Sequence, residues 1–338
     1  MPLLLLSQSD VEMLLPMAEC IEVMSDTLRT LTEGDARLPL RTIVRLPDGQ
    51  SAFGSMPAYL GRPAALGIKV ITVFPGNEGT RYDSHQGAVL LFEVEHGRLV
   101  AIMDASAITA IRTAAVTGVA TRALARENAA TLAILGAGVQ AATHLEAMRL
   151  VRPIERVRVW SRTADRADRF ARHASERLAM DVRPVASAEE AVRDADVVCT
   201  VTSAREPVLR GDWLAPGTHV NAVGASLPTA RELDAEAVRR ARLYVDRRES
   251  ALNEAGEFLI AKAEGAIGDD HIVGEIGELL LGRIAGRRSP DEITLFKSLG
   301  LAVEDVAAAH HVHARAVAGG VGMRVDLGGE RRDDASPA

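Results

Sequence analysis

Apolar residues recur at helical spacing from Asp10 to Asp35, with Pro16 placed for the first turn of a helix and Gly34 for its stop. The pattern predicts a helical entry. Runs with strand character follow at Arg41–Leu46, Ser51–Met56, Gly67–Phe74, Gln86–Val94 and Arg98–Met103, separated in part by the turns Pro47-Asp48-Gly49 and His96-Gly97. Short turns between such runs imply an antiparallel sheet. Asp104 or Ser106 is placed to cap a long Ala-rich helix through Thr109, Arg112, Val116 and Thr121. That helix reads as a bridge to a second unit.

Beyond Asn128 strand and helix patterns alternate. Thr131–Leu135, a helix to about Leu150, Val157–Trp160, a helix from Ala164, Val182–Val185, a short helix near Ala188, and Val197–Thr202 come in turn, followed by apolar runs at His219–Val223, Leu243–Val245 and Ile293–Phe296. Alternation of this kind predicts an α/β fold with a doubly wound parallel sheet. Leu299–Ala318 reads as a last helix, and the charged, Gly-rich tail after Leu327 reads as frayed.

A length of 338 residues suits two domains, and 47% hydrophobic with 25% charged residues is an ordinary globular balance. The formal charge of −7 argues against nucleic acid or an anionic membrane surface as partner, and no apolar run reaches the ~18 residues of a transmembrane helix. Cys20 and Cys199 are the only cysteines, so a disulfide framework is excluded and a cytoplasmic location fits best. Of 39 basic residues only Lys69, Lys262 and Lys297 are lysines. A lysine kept against that bias draws attention, because an ammonium is compact and its pKa falls on burial, whereas a guanidinium stays charged.

The strongest local motif is Gly136-Ala137-Gly138-Val139-Gln140-Ala141, directly after an apolar strand and opening a helix. Gly136 permits the tight turn, Gly138 lets the backbone approach a pyrophosphate, and the helix start presents unpaired amides to phosphate. NAD-preferring folds place an acid at the end of the next strand, where this chain has Ser161-Arg162-Thr163. Hydroxyls and a guanidinium there suit the 2′-phosphate of NADP(H), so NADPH is the expected cofactor, with NADH still open.

Arg112 has small or apolar helical neighbours and so needs an anion, either a buried structural acid or a substrate carboxylate. Lys69 alternates with Ile71 and Val73, and reads either as an ammonium at an apolar face or as an edge-strand lysine. Ser84-His85 stands at a loop-to-strand junction, with His85 a proton donor, a substrate hydrogen bonder or a turn residue. Arg41 is weaker alone. Asp305 reads either as a buried acid orienting Lys69 or as helix surface. No metal-ligand constellation stands out, and His310–His313 reads as a solvated helix face.

Leu40-Arg41-Thr42, Ser55-Met56-Pro57-Ala58-Tyr59, Ser84-His85-Gln86, Ile108–Ala115, Leu135–Ala141, Asn221–Ser226 and Phe296-Lys297-Ser298-Leu299-Gly300 together carry a family likeness along nearly the whole chain. The sequence resembles the ornithine cyclodeaminase/mu-crystallin family, nearest to its mu-crystallin-like ketimine reductase branch. The resemblance implies a homodimer in which residues 1–112, completed by 301–327, form an α+β substrate-binding and dimerisation domain with a mainly antiparallel sheet. Residues 113–300 would form the Rossmann domain and 328–338 the tail. It implies Arg41 and Arg112 as carboxylate binders, Lys69 near the reacting nitrogen, and Met56, Ser84, His85 and Ser226 around the substrate. Lys69, His85 and Asp305 would serve catalysis. Gly136, Ala137, Gly138, Val139, Gln140, Ser161, Arg162, Thr163, Val223 and Ser298 would hold the dinucleotide. Cyclodeaminases carry an aspartate where this chain has Ser226, which speaks against ornithine cyclodeamination. The expected activity is NADPH-dependent reduction of a small cyclic imino acid. A cyclodeaminase-type lyase with bound NAD, an alanine dehydrogenase-like enzyme and an NADPH-dependent ligand-binding protein stand as alternatives.

Overall fold

The computed structural model describes residues 2–77 and 79–328. The chain opens with β1 (Leu3–Leu6), α1 (Gln8–Leu14) and α2 (Met17–Thr32). The expected single helical entry is thus two helices. Pro16 accounts for the break, since a residue before proline is driven out of the helical region and Leu15 takes an extended φ of −125°. Gly34, at φ +84°, ends α2 as expected. Met17, Cys20, Ile21, Met24 and Leu28 form its buried stripe.

Next come β2 (Ala36–Arg37), β3 (Thr42–Arg45), β4 (Ala52–Gly61), β5 (Ala64–Val73), β6 (His85–Phe92) and β7 (Leu99–Asp104), then α3 (Ala105–Leu124), whose first turn is capped by Asp104 accepting from the Ala107 amide at 2.7 Å. The run read to Met56 continues through Pro57, which lies where β4 has no partner between its pairings with β3 and β2. Chain order continues with β8 (Thr131–Leu135), α4 (Val139–Val151), β9 (Arg156–Trp160), α5 (Ala164–Leu178), β10 (Asp181–Pro184), α6 (Ala188–Val192), β11 (Val197–Thr200) and β12 (His219–Ala222). Then follow α7 (Ala235–Arg240), β13 (Arg242–Val245), α8 (Arg248–Glu254), α9 (Gly256–Ala263), β14 (Ile272–Glu275), α10 (Ile276–Leu280), β15 (Thr294–Lys297), α11 (Ala302–Gly319) and β16 (Met323–Val325).

Two eight-stranded sheets result. The first has the order β16-β1-β7-β6-β5-β4-β2, with β3 also on β4, and is antiparallel except where β1 runs parallel to β7. The strands β1 and β16 are too short to give a sequence signal, β1 being four leucines and β16 only Met323-Arg324-Val325. The second is parallel throughout, in the order β10-β9-β8-β11-β12-β15-β13-β14, and reverses its winding beside β8. The fold is therefore the expected α/β architecture with a Rossmann-type sheet and a mainly antiparallel one.

Helix α3 lies between them, buried along most of its length and packed on α2, α4 and α11. Its small residues make this contact close: a Cβ on Gly118 would stand 3.2 Å from Ile21 Cδ1. The expected boundary at residues 112 and 113 falls inside this unbroken helix, which both sheets share. The tail expected at 328–338 lies outside the described residues from 329 onward. His310–His313 is half-buried or buried, not a solvated face, and His311 Nε2 meets Glu19 of α2 at 3.0 Å.

Polar side chains tie α3 to the parallel sheet. Asn221 on β12 donates from Nδ2 to Thr121 Oγ1 at 2.9 Å and meets His219 Nε2 through its Oδ1 at 3.1 Å, while Thr117 bonds His144 Nε2 of the flanking helix α4 at 3.1 Å. Burial holds the His144 imidazole down at about 4 and that of His219 at about 3. Unfolded imidazoles titrate near 6.5, so below that pH the unfolded chain binds more protons. Stability is therefore expected to fall as pH drops from 6.5 toward 4, by up to about 1.4 kcal/mol per pH unit for each histidine. His144→Gln should make the decline of Tm across that window shallower. An unchanged slope would refute the assignment.

Candidate active site

Strand β5 places Lys69 opposite Met56 on β4 and Val89 on β6, so these three share the sheet face that α11 covers. Gly67 lies two residues earlier on that face, where a Cβ would meet Leu90 O at 2.8 Å and Val306 Cγ2 at 3.0 Å. Its missing side chain lets α11 approach. With β5 paired on both sides, Lys69 is no edge-strand lysine. It is buried, and its Nζ lies 2.8 Å from Asp305 Oδ2 on α11 and 3.4 Å from Thr109 Oγ1 on α3. Burial lowers the ammonium to about 8, against the pull of Asp305.

Arg112 on α3 reaches the same acids. Its Nε donates to Asp305 Oδ1 and its Nη1 to Glu304 Oε2, each at 2.8 Å. Asp305 is thus the buried acid of the two readings, shared by Lys69 and Arg112. Burial raises its carboxyl, but the Arg112 and Lys69 charges override that and hold it below the usual range. The structural-anion reading of Arg112 is met as well, yet its Nη2 makes no hydrogen bond to a described residue and remains available to a ligand carboxylate.

The connection from β15 to α11 brings in the remaining groups. Gly300, at φ +78°, lies against the Arg112 guanidinium at a distance no side chain would allow. Arg41 donates from Nη2 to the carbonyls of Leu299 at 2.9 Å and Gly300 at 3.1 Å, so Arg41 and Arg112 flank one loop. Arg41 also holds a protein acid, Glu254, at 3.1 Å. Asp246, just past β13, accepts from the Leu299 and Gly300 amides at 2.6 and 2.8 Å. Met56 is buried beside Lys69. Ser84 and His85 lie more openly at the rim, with Ser84 Oγ 3.0 Å from His85 Nδ1. The ring sits on the Lys69 side of β6, and packing and the Lys69 charge lower its pKa.

The Gly136–Ala141 turn lies beside the reversal of the parallel sheet. Gly136 has φ +122°, and a Cβ there would stand 2.7 Å from Val201 O. Gly138 opens α4 with no side-chain cap, and nothing lies within 4 Å of the place its Cβ would take. Gln140 Oε1 is buried at this turn without a partner. Val139 is exposed and Ala137 partly so, while Ala141 is fully buried, as close packing of strand and helix requires. An open cradle and uncapped amides that can donate fit a dinucleotide phosphate, which accepts from them. Ser161 is half-buried, Arg162 and Thr163 are exposed after β9, and Arg162 makes no ion pair among the described residues. Val223 and Ser298 follow β12 and β15 at the same end of the sheet, the Ser298 amide donating to Ala222 O at 3.0 Å.

Sequence reasoning missed the support behind Val223–Ser226. Lys297, Glu257 and Glu232 are all buried; Lys297 Nζ meets Glu257 at 3.1 Å and donates to the carbonyls of Ala222 and Ala225, while Glu232 accepts from the Gly224 amide at 2.7 Å. The scarcity of lysine was the only signal for this group. Glu304, Asp246 and Glu254 were missed too, although Glu304 adjoins Asp305 in the apolar stretch Val303–Val306. Ser226 is half-buried next to this network and makes no hydrogen bond to a described residue.

The sequence model of the ornithine cyclodeaminase/mu-crystallin family matches residues 2–320. The chain belongs to that family. It is 44% identical to the ketimine reductase mu-crystallin of Mus musculus over 281 residues, 83% of this chain and 86% of the mouse protein. Among solved structures it resembles the Δ1-pyrroline-2-carboxylate reductase of Thermococcus litoralis in complex with NADH and L-proline, with a TM-score of 0.93 and 41% identity over 96% of this chain and 100% of that one. An archaeal alanine dehydrogenase dimer with bound NAD matches with a TM-score of 0.91 and 34% identity over 97% and 100%. Family members thus share this fold across more than one reaction of amino acids, and the dinucleotide turn is the part whose role is most directly testable. Gly138→Val places its side chain in open space, so stability should change by no more than about 1 kcal/mol. Affinity for a nicotinamide dinucleotide, read by its fluorescence, should fall at least about tenfold, or about 1.4 kcal/mol. Unchanged affinity would remove the dinucleotide from this turn.

Proposed function

We propose that this protein reduces the C=N bond of a small cyclic imino acid, Δ1-pyrroline-2-carboxylate or Δ1-piperideine-2-carboxylate, to proline or pipecolate with NADPH. The observation that carries the reading is the stretch Ser298–Asp305. It runs from the dinucleotide end of the parallel sheet past Gly300, between Arg41 and Arg112, to the acid that holds Lys69. One short segment thus joins the cofactor crevice, a carboxylate anchor and a proton donor. Identity of 41–44% to a pyrroline-2-carboxylate reductase and a ketimine reductase supports the same chemistry.

A bound nicotinamide supplies the hydride; the chain supplies position and charge. Arg112, through its uncommitted Nη2, anchors the carboxylate, and Asp305 fixes the guanidinium from behind. Lys69 presents an ammonium whose lowered pKa suits proton donation to the imine nitrogen, which makes the adjacent carbon a better hydride acceptor. His85 lines the rim. Arg162, exposed and without an ion pair among the described residues, supports NADPH over NADH. Val44, Phe53, Tyr59 and Leu66 are exposed on one face of β3, β4 and β5, and this uncovered apolar sheet surface supports a homodimer like that of the archaeal relative. Cys20 and Cys199 are free and buried, in keeping with a cytoplasmic protein, and among the described residues no helix is long and apolar enough to cross a membrane. Ser226, in place of the aspartate expected for deaminating members, weighs against the lyase.

Steady-state assays decide among these chemistries. Cyclic imino acids with NADPH should turn over, pyruvate with ammonia should be poorer, and ornithine with NAD should release little ammonia; dominant ammonia release from ornithine would overturn the reading. NADPH should exceed NADH in kcat/KM at least about tenfold, equivalent to about 1.4 kcal/mol, and Arg162→Ala should erase most of that margin. Lys69→Met should lower kcat by about 10²–10⁴-fold with a smaller change in KM, and should abolish the loss of kcat that the parent enzyme shows as pH rises through about 8. A normally folded Lys69→Met protein with unchanged kcat would transfer the proton donation to another group.

A further inference from the structure

Glu304 is an acid of this site that the mechanism leaves unused. It is fully buried on α11, and its two oxygens are treated unequally: Oε2 accepts from Arg112 Nη1 at 2.8 Å and from the Leu301 amide at 3.1 Å, whereas Oε1 is buried without a hydrogen-bond partner among the described residues. An ionised carboxylate oxygen left dry and unbonded is costly, and a proton removes most of that cost.

The charges that surround it sharpen the point. Lys69 from β5, Arg112 from α3 and Arg41 from the segment before β3 face Asp305 and Glu304 on α11, Asp246 after β13 and Glu254 on α8. Three cations thus meet four carboxylates. Arg247 pairs with Glu249 and adds only a minor pull on Glu254. Cys20, facing the cluster from α2, is held neutral by burial, and His85 at the rim of β6 is lowered by packing and by Lys69. A substrate carboxylate entering this enclosure adds a further negative charge where solvent cannot screen it.

We propose that seating a carboxylate against Arg112 is coupled to the uptake of one proton from solvent by Glu304 at Oε1. The proposal rests on the carboxylate-bearing substrate of the preceding section and assigns Glu304 as a positioning residue whose protonation keeps Arg112 available. The other acids are poorer acceptors. Asp305 is held by Arg112 and Lys69, Asp246 accepts three backbone amides, from Arg247, Leu299 and Gly300, and Glu254 is partly exposed and paired with Arg41. Burial, reinforced by Asp246 and opposed by Arg112, raises the Glu304 carboxyl to about 7 before any ligand arrives. Below that pH the proton is already in place and binding takes up none. Above it, uptake approaches one per site, and carboxylate affinity weakens by up to about tenfold per pH unit.

The test is calorimetric titration of the protein, saturated with NADPH or NADH, with pyrrole-2-carboxylate, a planar ring acid with no amine to titrate. Runs in buffers of different ionisation enthalpy give the protons exchanged. Uptake near one at pH 8, falling toward zero at pH 6, is expected. Glu304→Gln should bind the acid with no proton exchange and with an affinity flat between pH 6 and 8. Should that variant not fold, the infrared difference spectrum of the parent at pH 8 should show the carbonyl stretch of a newly protonated carboxyl group on binding. No uptake at pH 8, uptake retained in Glu304→Gln, or an infrared spectrum without that stretch overturns the proposal. Pyruvate is titrated in parallel: if it binds with uptake while the ring acid does not, the cyclic-substrate reading fails and the proton coupling stands. If neither acid binds, both fail.

Discussion

The arrangement around Lys69 and Arg112 follows from two cations buried against two adjacent acids. Lys69 and Arg112 come from a strand and a helix far apart in sequence, and they meet because Glu304 and Asp305 occupy consecutive positions at the start of α11. Removing one member of such a pair strands a charge in a dry interior, at a cost of about 3–5 kcal/mol. The cluster therefore locks β5, α3 and α11 into one arrangement. The small residues around it are consequences of that lock: Gly67 admits α11 to the sheet, and Gly300 admits the guanidinium to the loop.

The same lock couples the two sheets. Helix α3 reaches the parallel sheet through Thr121, its flanking helix α4 through Thr117, and the antiparallel unit through Arg112 and Thr109, so one rigid element carries contacts to both. The second link is the passage from β15 into α11, whose amides are held by Asp246 and whose carbonyls are held by Arg41. A dinucleotide at the ends of the parallel strands and an anion at Arg112 would thus stand at opposite ends of one well-anchored loop. Holding two reactants in fixed relation is a large part of what such a site contributes to rate.

The choice between lysine and arginine has a physical basis here. Two of the three lysines are buried, and both use a compact ammonium where a planar fork would not fit: Lys69 between an acid and a hydroxyl, Lys297 between two carbonyls and Glu257. Lys262 is exposed and merely pairs with Asp269. Bias in composition was therefore informative for two of the three positions, and silent about what each would touch.

Periodicity and turn residues were enough to determine, from the sequence alone, the alternating strands and helices, the glycine turn after β8, the capped helix α3 and the candidacy of Lys69, Arg112 and Asp305, because these depend on local spacing and on neighbours along the chain. The break at Leu15 needed the restriction that Pro16 imposes, and β1 and β16 needed each other and β7, since three or four residues have no strand identity without a partner. Only the tertiary structure decided that Lys69 is interior, that Arg112 already holds two acids, that Arg41 shares Glu254, and that Glu304 keeps one oxygen unbonded. Those outcomes depend on burial and on charges brought together across hundreds of residues, and electrostatic energy in a dry interior is set by separation in space, which spacing along a chain does not encode.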